Sequence, residues 1–315
     1  FHSSSSMKAV YLERFGGPEV LQYGDLPDPV AGPGEVVVDV AAASVNAADW
    51  KFRSGQYARH SGANFPLIPG RDFSGSVSVL GRGADELKIG DAVFGVLDMG
   101  REGTYAEKLT IKAAIVGRKP AALSHVEAAA VALTGLTAVN AIADTLRLQR
   151  GETILIQGGA GGVAGFAIQF AKHLGARVIT TTSAANRDYV LGLGADQVID
   201  YNTQDFAAVV SGCDAVFDTV GGEVAHKSFA VLKPGGRAAF IASGIEAPKP
   251  TRGDVVSLRP PVERSRQAME GIAGLIETGA VRPPAIKLYS LSQAVEAHRL
   301  SESRHFRGKL VFQVR

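Results

Sequence analysis

Cysteine is nearly missing from this chain: Cys213 is the only one in 315 residues. One thiol closes no intrachain disulfide and builds no cysteine-based metal cluster, and a single reduced thiol suits a cytoplasmic protein. Excess charge is missing too. The 33 basic and 31 acidic residues leave a formal net charge of +2, with no block of one sign. Neither nucleic acid nor an anionic membrane is therefore expected as a partner. Long hydrophobic runs are scarce. The longest, AAAVALTGLTAVNAIA at 128–143, is interrupted by Thr, Gly and Asn and is shorter than the roughly 20 residues of a membrane span. No secretory signal is visible. Of the seven histidines, six follow His2, and they are scattered without metal-ligand spacing. Catalytic zinc requires three Cys, His or carboxylate ligands, so no metal site is expected.

What remains is a chain with 46% hydrophobic residues, enough for a sizeable core and long enough for two domains. Residues 1–6, FHSSSS, precede Met7 and are read as a leader outside the fold. From Met7 to about Lys112 short valine-rich runs (EVVVDVAAASV, GSVSVL, DAVFGVL) alternate with GGP, GPG, GRG and IGD turns, the mark of a mostly β domain. Ser124 opens SHVE, a capping box ahead of a helical pattern reaching about Arg147. Beyond Arg150 strands (ETILIQ, RVITTT, QVID, AVFDTV, RAAFIAS) alternate with helices near 162–174, 185–192, 203–210 and 222–232. Alternation of this kind requires helical crossovers and hence a parallel sheet. A proline-rich loop at 245–262, a helix near 263–278, the strand IKLYS, the helix LSQAVEAHRL and a last strand KLVFQV follow. The last strand matches the first half in character and is expected to return to the β domain.

The stretch QGGAGGVAGF at 157–166 has five glycines in ten positions, between the apolar run TILI and the helix-like FAIQFAKHL. Gly159-x-Gly161-x-x-Ala164 fits the dinucleotide fingerprint. The first glycine allows a tight turn, the second lets a pyrophosphate approach the backbone, and a small third residue lets helix and strand pack closely. Gly158, Gly159, Gly161, Gly162 and Val163 are thus candidate coenzyme contacts at a helix N-terminus. The next strand ends in Thr181-Thr182-Ser183, with Arg187 beyond and no acid before Asp188. An acid there would grip the ribose 2′-hydroxyl of NAD. Hydroxyls with a guanidinium suit a 2′-phosphate, so Thr182, Ser183 and Arg187 point to NADPH, the lesser alternative for Arg187 being a solvated helix residue.

MKAVYLERFGGPEVL, GPGEVVVDVAAASVNAADW, PGRDFSGSVSVLG, LKIGDAVFG, GTYAE, LTGLTA, GGAGGVAGFAIQFAKHLGARVI, LGADQVIDY, FDTVGG, LKPGGR and AHRLSESRHFRGKLV occur in this order. Together they resemble the zinc-independent quinone oxidoreductase and enone reductase branch of the medium-chain dehydrogenase/reductase family, over nearly the whole chain after the leader. The resemblance implies an α/β protein with two parts. One is a GroES-like β domain (7–125 plus 285–315), and the other is a Rossmann domain with a doubly wound parallel sheet (126–284). It further implies an active site in the cleft between them, a homodimer, and hydride transfer from NADPH to a quinone or to the C=C bond of an α,β-unsaturated carbonyl. Zinc-dependent relatives carry Cys where this chain has Asn46, and Gly-His-Glu where it has Gly70-Arg71-Asp72.

By the same resemblance Asn46, Asp49 and Tyr57 line the nicotinamide end, Thr134 meets the carboxamide, and Arg307 and Lys309 reach the coenzyme. Strand ends put Gly221 and Ser243 near the nicotinamide ribose. Bacterial quinone reductases have a second tyrosine where this chain has Lys51, and Asn-x-x-Asp-x-Lys resembles the enone and alkenal reductases. Three candidates carry the chemistry. Asn46 binds and orients, Lys51 stabilises an enolate or else pairs with Asp49 or Asp72, and Tyr57 donates a hydrogen bond or else packs as a lid. His173, His226 and His298 lie on expected helices, in surface or half-buried structural roles. Acceptor choice is expected from loops 56–68 and 245–262. The alternatives are a one-electron quinone reductase and an NADPH-binding sensor or structural protein with little turnover.

Overall fold

The computed structural model describes residues 5–57, 64–101 and 103–315. They form two compact units. One comprises Phe1–Leu133, Arg264–Glu277 and Pro283–Arg315, and the other Thr134–Glu263 and Thr278–Arg282.

The first unit is built on a largely antiparallel sheet of seven strands. Strand Glu35–Ser44 pairs with Asp72–Leu80 on one side and with Lys108–Lys112 and Lys309–Gln313 on the other. Its valines at 36, 38 and 40 are fully buried, together with Leu109, Ile111, Phe73 and Phe312. The terminal strand does return to this sheet, with Val311 opposite Ser44. A separate two-stranded ribbon joins Ser6–Tyr11 to Gln22–Pro27. Ser6 faces Pro27, and the Ser5 carbonyl accepts from the Asp28 N–H at 3.2 Å, so Ser5 and Ser6, from the segment read as a leader, belong to the fold.

The helix Arg266–Glu277, expected among the dinucleotide-binding elements, belongs to this first unit. Its apolar stripe of Met269, Ile272, Ala273 and Ile276 is buried, at the i, i+3, i+4, i+7 spacing of one helix face. Arg266 Nε donates to the Val116 carbonyl at 3.2 Å, and Gly117 admits the helix, since a Cβ there would lie 2.6 Å from Met269 Cβ.

In the second unit six parallel strands run Gln197–Asp200, Arg177–Thr182, Thr153–Ile156, Cys213–Asp218, Leu232–Phe240, Val256–Leu258 across the sheet. Numbered along the chain this is 3-2-1-4-5-6, the doubly wound order of dinucleotide-binding sheets. The inner strands read as unbroken apolar runs because helices cover both faces. The edge strand Val256–Leu258 lies within the segment expected to be loop throughout.

The capping box forms as read. Ser124 N–H donates to Glu127 Oε1 at 3.0 Å, and Glu127 N–H to Ser124 Oγ at 3.1 Å. The helix His125–Val139 widens into a π-helix over Asn140–Thr145. Contrary to the length argument from sequence, this 21-residue element is long and apolar enough to span a bilayer, but its most apolar window is 72% buried within the protein.

Cys213 opens its strand fully buried, and burial, helped by Asp214, pushes its thiol up to about 11. Maleimide added to the native protein at neutral pH is expected to leave Cys213 unmodified and to label it on unfolding. Rapid stoichiometric labelling of the native protein, read by mass spectrometry, would contradict this packing.

Candidate functional site

In the second unit the strand order reverses between Thr153–Ile156 and Cys213–Asp218, and loops 157–161 and 219–221 leave the carboxyl ends of those two strands. Ligands of open parallel sheets bind at such a switch point. Neighbouring hydroxyls and amides shape the glycine turn. Gly158 has φ +77°, and its N–H donates to Thr181 Oγ1 at 3.1 Å. Thr181 Oγ1 donates in turn to Gln157 Oε1 at 2.7 Å, and Thr219 Oγ1 to the Gln157 carbonyl at 2.7 Å. Gly159 N–H donates to the Thr181 carbonyl at 2.9 Å, and a Cβ on Gly159 would stand 2.3 Å from Thr180 Oγ1. Gly161 is looser: a Cβ there would meet one atom, the Gly158 carbonyl oxygen, at 3.4 Å.

The helix Gly162–His173 starts at this point without a side-chain cap. Such a start offers its first N–H groups and the positive end of its dipole to an anion. On loop 219–221 the Asp218 carboxylate accepts from the N–H groups of Val220 (3.1 Å) and Gly221 (2.9 Å), and Gly221, at φ +84°, lies so close to Ala242 that a Cβ would be 2.4 Å from its carbonyl oxygen. Ser243 Oγ is buried without a hydrogen-bond partner. A backbone cradle cleared of side chains, an uncapped helix start and an orphaned hydroxyl together fit the pyrophosphate and ribose of a dinucleotide.

Gly158, Gly159, Gly161, Gly162, Val163 and Gly221 are therefore gathered at one end of the sheet, as the sequence implied. The next strand is subtler. Thr182 is buried, Ser183 is half-buried and receives a long contact from Asn186 Nδ2 (3.4 Å), and Arg187 is exposed with Nη1 3.5 Å from the Val198 carbonyl. Thr181, just before them, is occupied with the glycine turn. Gln157, Thr180 and Thr219 were not singled out from the sequence. Thr134 is buried on the long helix.

The first unit contains a buried polar cluster. Asn46 precedes the helix Ala47–Arg53, and its N–H donates to Asp49 Oδ2 at 2.9 Å. Its side-chain Oδ1 accepts from Lys309 Nζ at 2.7 Å, and Nζ also donates to the Val45 carbonyl at 2.7 Å. Asp72 Oδ1 accepts from Ser44 Oγ (2.7 Å) and N–H (3.2 Å), and Oδ2 from the Leu133 N–H (3.3 Å). Burial raises the Asp72 carboxyl and lowers the Lys309 ammonium from their ordinary values, while each charge offsets the effect on the other. The cation facing Asp72 is thus Lys309. Lys51 Nζ lies 5.7 Å from the Trp50 ring centroid, and Lys51 and Tyr57 are half-buried. Arg307 is exposed. Gly308 beside it must be glycine, because at φ +68° a Cβ would be 2.0 Å from the Ala285 carbonyl oxygen.

Behind Asn46 runs a second chain that sequence reasoning missed. Tyr105 donates to Asp49 Oδ2 at 2.8 Å and lies 3.0 Å from His298 Nε2, while Arg53 Nη1 is 2.8 Å from His298 Nδ1. Arg53 also donates to the Gly16 carbonyl (3.1 Å) and is paired with Glu302. Arginine can only donate, so Nδ1 accepts and Nε2–H donates to Tyr105. His298 is fully buried rather than a surface or half-buried residue. Burial, with Arg53 beside it, drives its pKa down to about 3. Burial and the Asp49 carboxylate hold Tyr105 well above its ordinary value, and so protonated.

By the resemblance drawn from sequence, Asn46, Arg71 and Asp72 occupy the places where zinc ligands would be sought. An ammonium 2.7 Å from Asn46 Oδ1 and a guanidinium at 71 cannot ligate a cation, so this donor set does not fit zinc. Among the described residues no group of three or more His, Cys, Asp or Glu side chains could hold a metal.

Comparison with known proteins agrees with this architecture. Residues 32–121 match the family model described as alcohol dehydrogenase GroES-like domain, and residues 193–312 the one described as zinc-binding dehydrogenase. The chain is 31% identical to 2-methylene-furan-3-one reductase of Solanum lycopersicum, over 98% of this chain and 79% of the relative. It is 34% identical to the quinone oxidoreductase from Coxiella burnetii, with a TM-score of 0.94 over 99% of this chain and 100% of the other. The structure of mycobacterial Rv1454c complexed with NADPH is 32% identical, with a TM-score of 0.87 over 98% and 100% of the two chains. Fold and glycine cradle together are those of a nicotinamide-dependent oxidoreductase. The chain belongs to the medium-chain dehydrogenase/reductase family, in its quinone oxidoreductase and enone reductase branch.

The buried histidine gives a test of the first unit. The unfolded chain takes up a proton at His298 near pH 6.5, whereas the folded one resists until about 3. Its contribution to stability is complete above about pH 6.5 and is lost as pH falls toward 3. Thermal denaturation between about pH 7 and 4 is expected to show a shallower acid loss for His298→Gln than for wild type. Parallel curves would contradict the neutral, buried assignment.

Proposed function

We propose that this chain is a zinc-independent, NADPH-dependent reductase of quinones or of the C=C bond of α,β-unsaturated carbonyls. The observation that carries the reading is the glycine cradle at the switch point, followed by a strand end bearing Thr182, Ser183 and Arg187 and no carboxylate before Asp188. An acid there would repel a 2′-phosphate, and a guanidinium attracts one. The relatives named for a quinone and for an enone both support the acceptor class.

Bound reduced nicotinamide supplies a hydride equivalent. This chain's own residues bind the dinucleotide through the turn at 158–163 and through Gly221 and Ser243, and orient the acceptor. Negative charge gathers on the acceptor's oxygen as the hydride arrives, and in a site without a metal that charge must be met by donors. The Asn46 amide is the donor we assign to it, with Lys51 and Tyr57 as secondary polar groups. A proton then completes the reduction: NADPH, H⁺ and an enone give NADP⁺ and the saturated carbonyl, while a quinone takes two electrons and two protons to the hydroquinone. Holding donor and acceptor in register contributes much of the acceleration even without an acid.

NADPH oxidation measured against quinones, 2-alkenals, enones and enoyl thioesters, with product analysis, is expected to give one reduced product per NADPH in at least one class. Consumption by none would refute the reading. Ser183→Asp combined with Arg187→Ala is expected to shift the NADPH/NADH ratio of kcat/KM toward NADH by about ten- to a hundredfold, the size of one or two lost charge-assisted hydrogen bonds. An unchanged ratio would refute the assignment of NADPH.

A further inference from the structure

Lys309 lies on the strand Lys309–Gln313 and is only 5% exposed. Family position makes it a coenzyme contact, yet its ammonium is spent inside its own unit, on the Val45 carbonyl and Asn46 Oδ1, both at 2.7 Å. An ammonium only donates, so the oxygen of the Asn46 amide must face it and the nitrogen must face away. The nitrogen side is fixed as well. Nδ2 lies 3.5 Å from Ser44 Oγ, and the Asn46 side chain helps keep the Asp72 carboxyl ionised. The oxygen is thus committed to Lys309, and the nitrogen, whose contact with Ser44 Oγ is long at 3.5 Å, is the side of the amide left to donate. Turned over, it would set N–H groups against a buried ammonium and leave that cation short of an acceptor, a costly arrangement away from water. A flipped amide would also present its carbonyl oxygen to an acceptor oxygen gathering negative charge.

We propose that Lys309 is a positioning residue that acts through Asn46, locking the amide so that it donates to the acceptor oxygen. This rests on the assignment of Asn46 as that donor. Lys309 affects turnover without touching the coenzyme, and it does nothing for catalysis once the amide is gone. Asp72 and Asp49 are its counter-charges, which keep a buried cation tolerable.

A double-mutant cycle separates these roles. Wild type, Lys309→Met, Asn46→Ala and the double variant are compared for kcat and KM on the best acceptor, and for the Kd of NADPH by fluorescence titration. Lys309→Met is expected to lower kcat about tenfold, short of the hundred- to thousandfold typical of losing a direct oxyanion donor. The Kd for NADPH should stay within about twofold, and in the Asn46→Ala background the same substitution should cost less than about twofold in kcat. Should Lys309→Met fail to fold because Asp72 loses its counter-ion, Lys309→Met with Asp72→Asn removes both charges and carries the same comparison. Weakened NADPH binding with kcat retained, or an equal kcat loss in both Asn46 backgrounds, would overturn the inference. Normal turnover by Lys309→Met overturns it alone, whereas a wild-type protein that reduces no acceptor overturns the functional reading and this inference together.

Discussion

A turn carrying Gly158, Gly159 and Gly161 has little shape of its own, and the hydrogen bonds from its neighbours supply one. Thr181 holds the Gly158 N–H with its hydroxyl and the Gly159 N–H with its carbonyl, and Gln157 and Thr219 close the set. Glycine loses more conformational freedom on folding than any other residue. That cost is met by a strand next door, Arg177–Thr182, whose register against Thr153–Ile156 is fixed by the sheet. The preorganised cradle therefore depends on strand pairing, and the uncapped helix start depends on the cradle. Coenzyme recognition in this chain is a property of the sheet before it is a property of the loop.

The first unit applies the same logic with charges. Asn46 is held at its backbone by Asp49, which is held by Tyr105, and that by His298 and Arg53; its side chain is held by Lys309. Each buried polar group is acceptable only because the next one satisfies it, and such networks rigidify when complete. One amide, aimed from a fixed helix start, is the product. An ammonium stands directly behind that amide, with Lys309 Nζ 2.7 Å from Asn46 Oδ1.

What could be read from the sequence was what is local or periodic. TILI followed by spaced glycines announced strand, turn and helix; Ser124 and Glu127 announced their cap; alternating strands and helices announced the parallel sheet. The hidden features depend on distant partners or on ambiguous composition. Lys309 reads by resemblance as a coenzyme contact, and its bond to Asn46 is hidden because Asn46 lies 263 positions away. His298 reads as an ordinary helix histidine because Arg53 and Tyr105 come from other elements. In Thr180-Thr181-Thr182 no alternation separates inward from outward hydroxyls, since a parallel strand is covered on both faces. The edge strand Val256–Leu258 was masked by prolines, and the helix Arg266–Glu277 carries an apolar face without saying which unit it covers. Part of loop 56–68, expected from sequence to choose the acceptor, lies outside the described residues, at 58–63.

The central claim is that the glycine turn is a dinucleotide cradle, and calorimetric titration of the native protein tests it most directly. NADPH added to micromolar wild-type protein should release saturable heat with about one equivalent bound, and Gly159→Val, whose side chain would collide with Thr180, should bind at least tenfold more weakly. No heat from either NADPH or NADH with folded wild-type protein, or an unchanged isotherm for a folded Gly159→Val, would contradict the account.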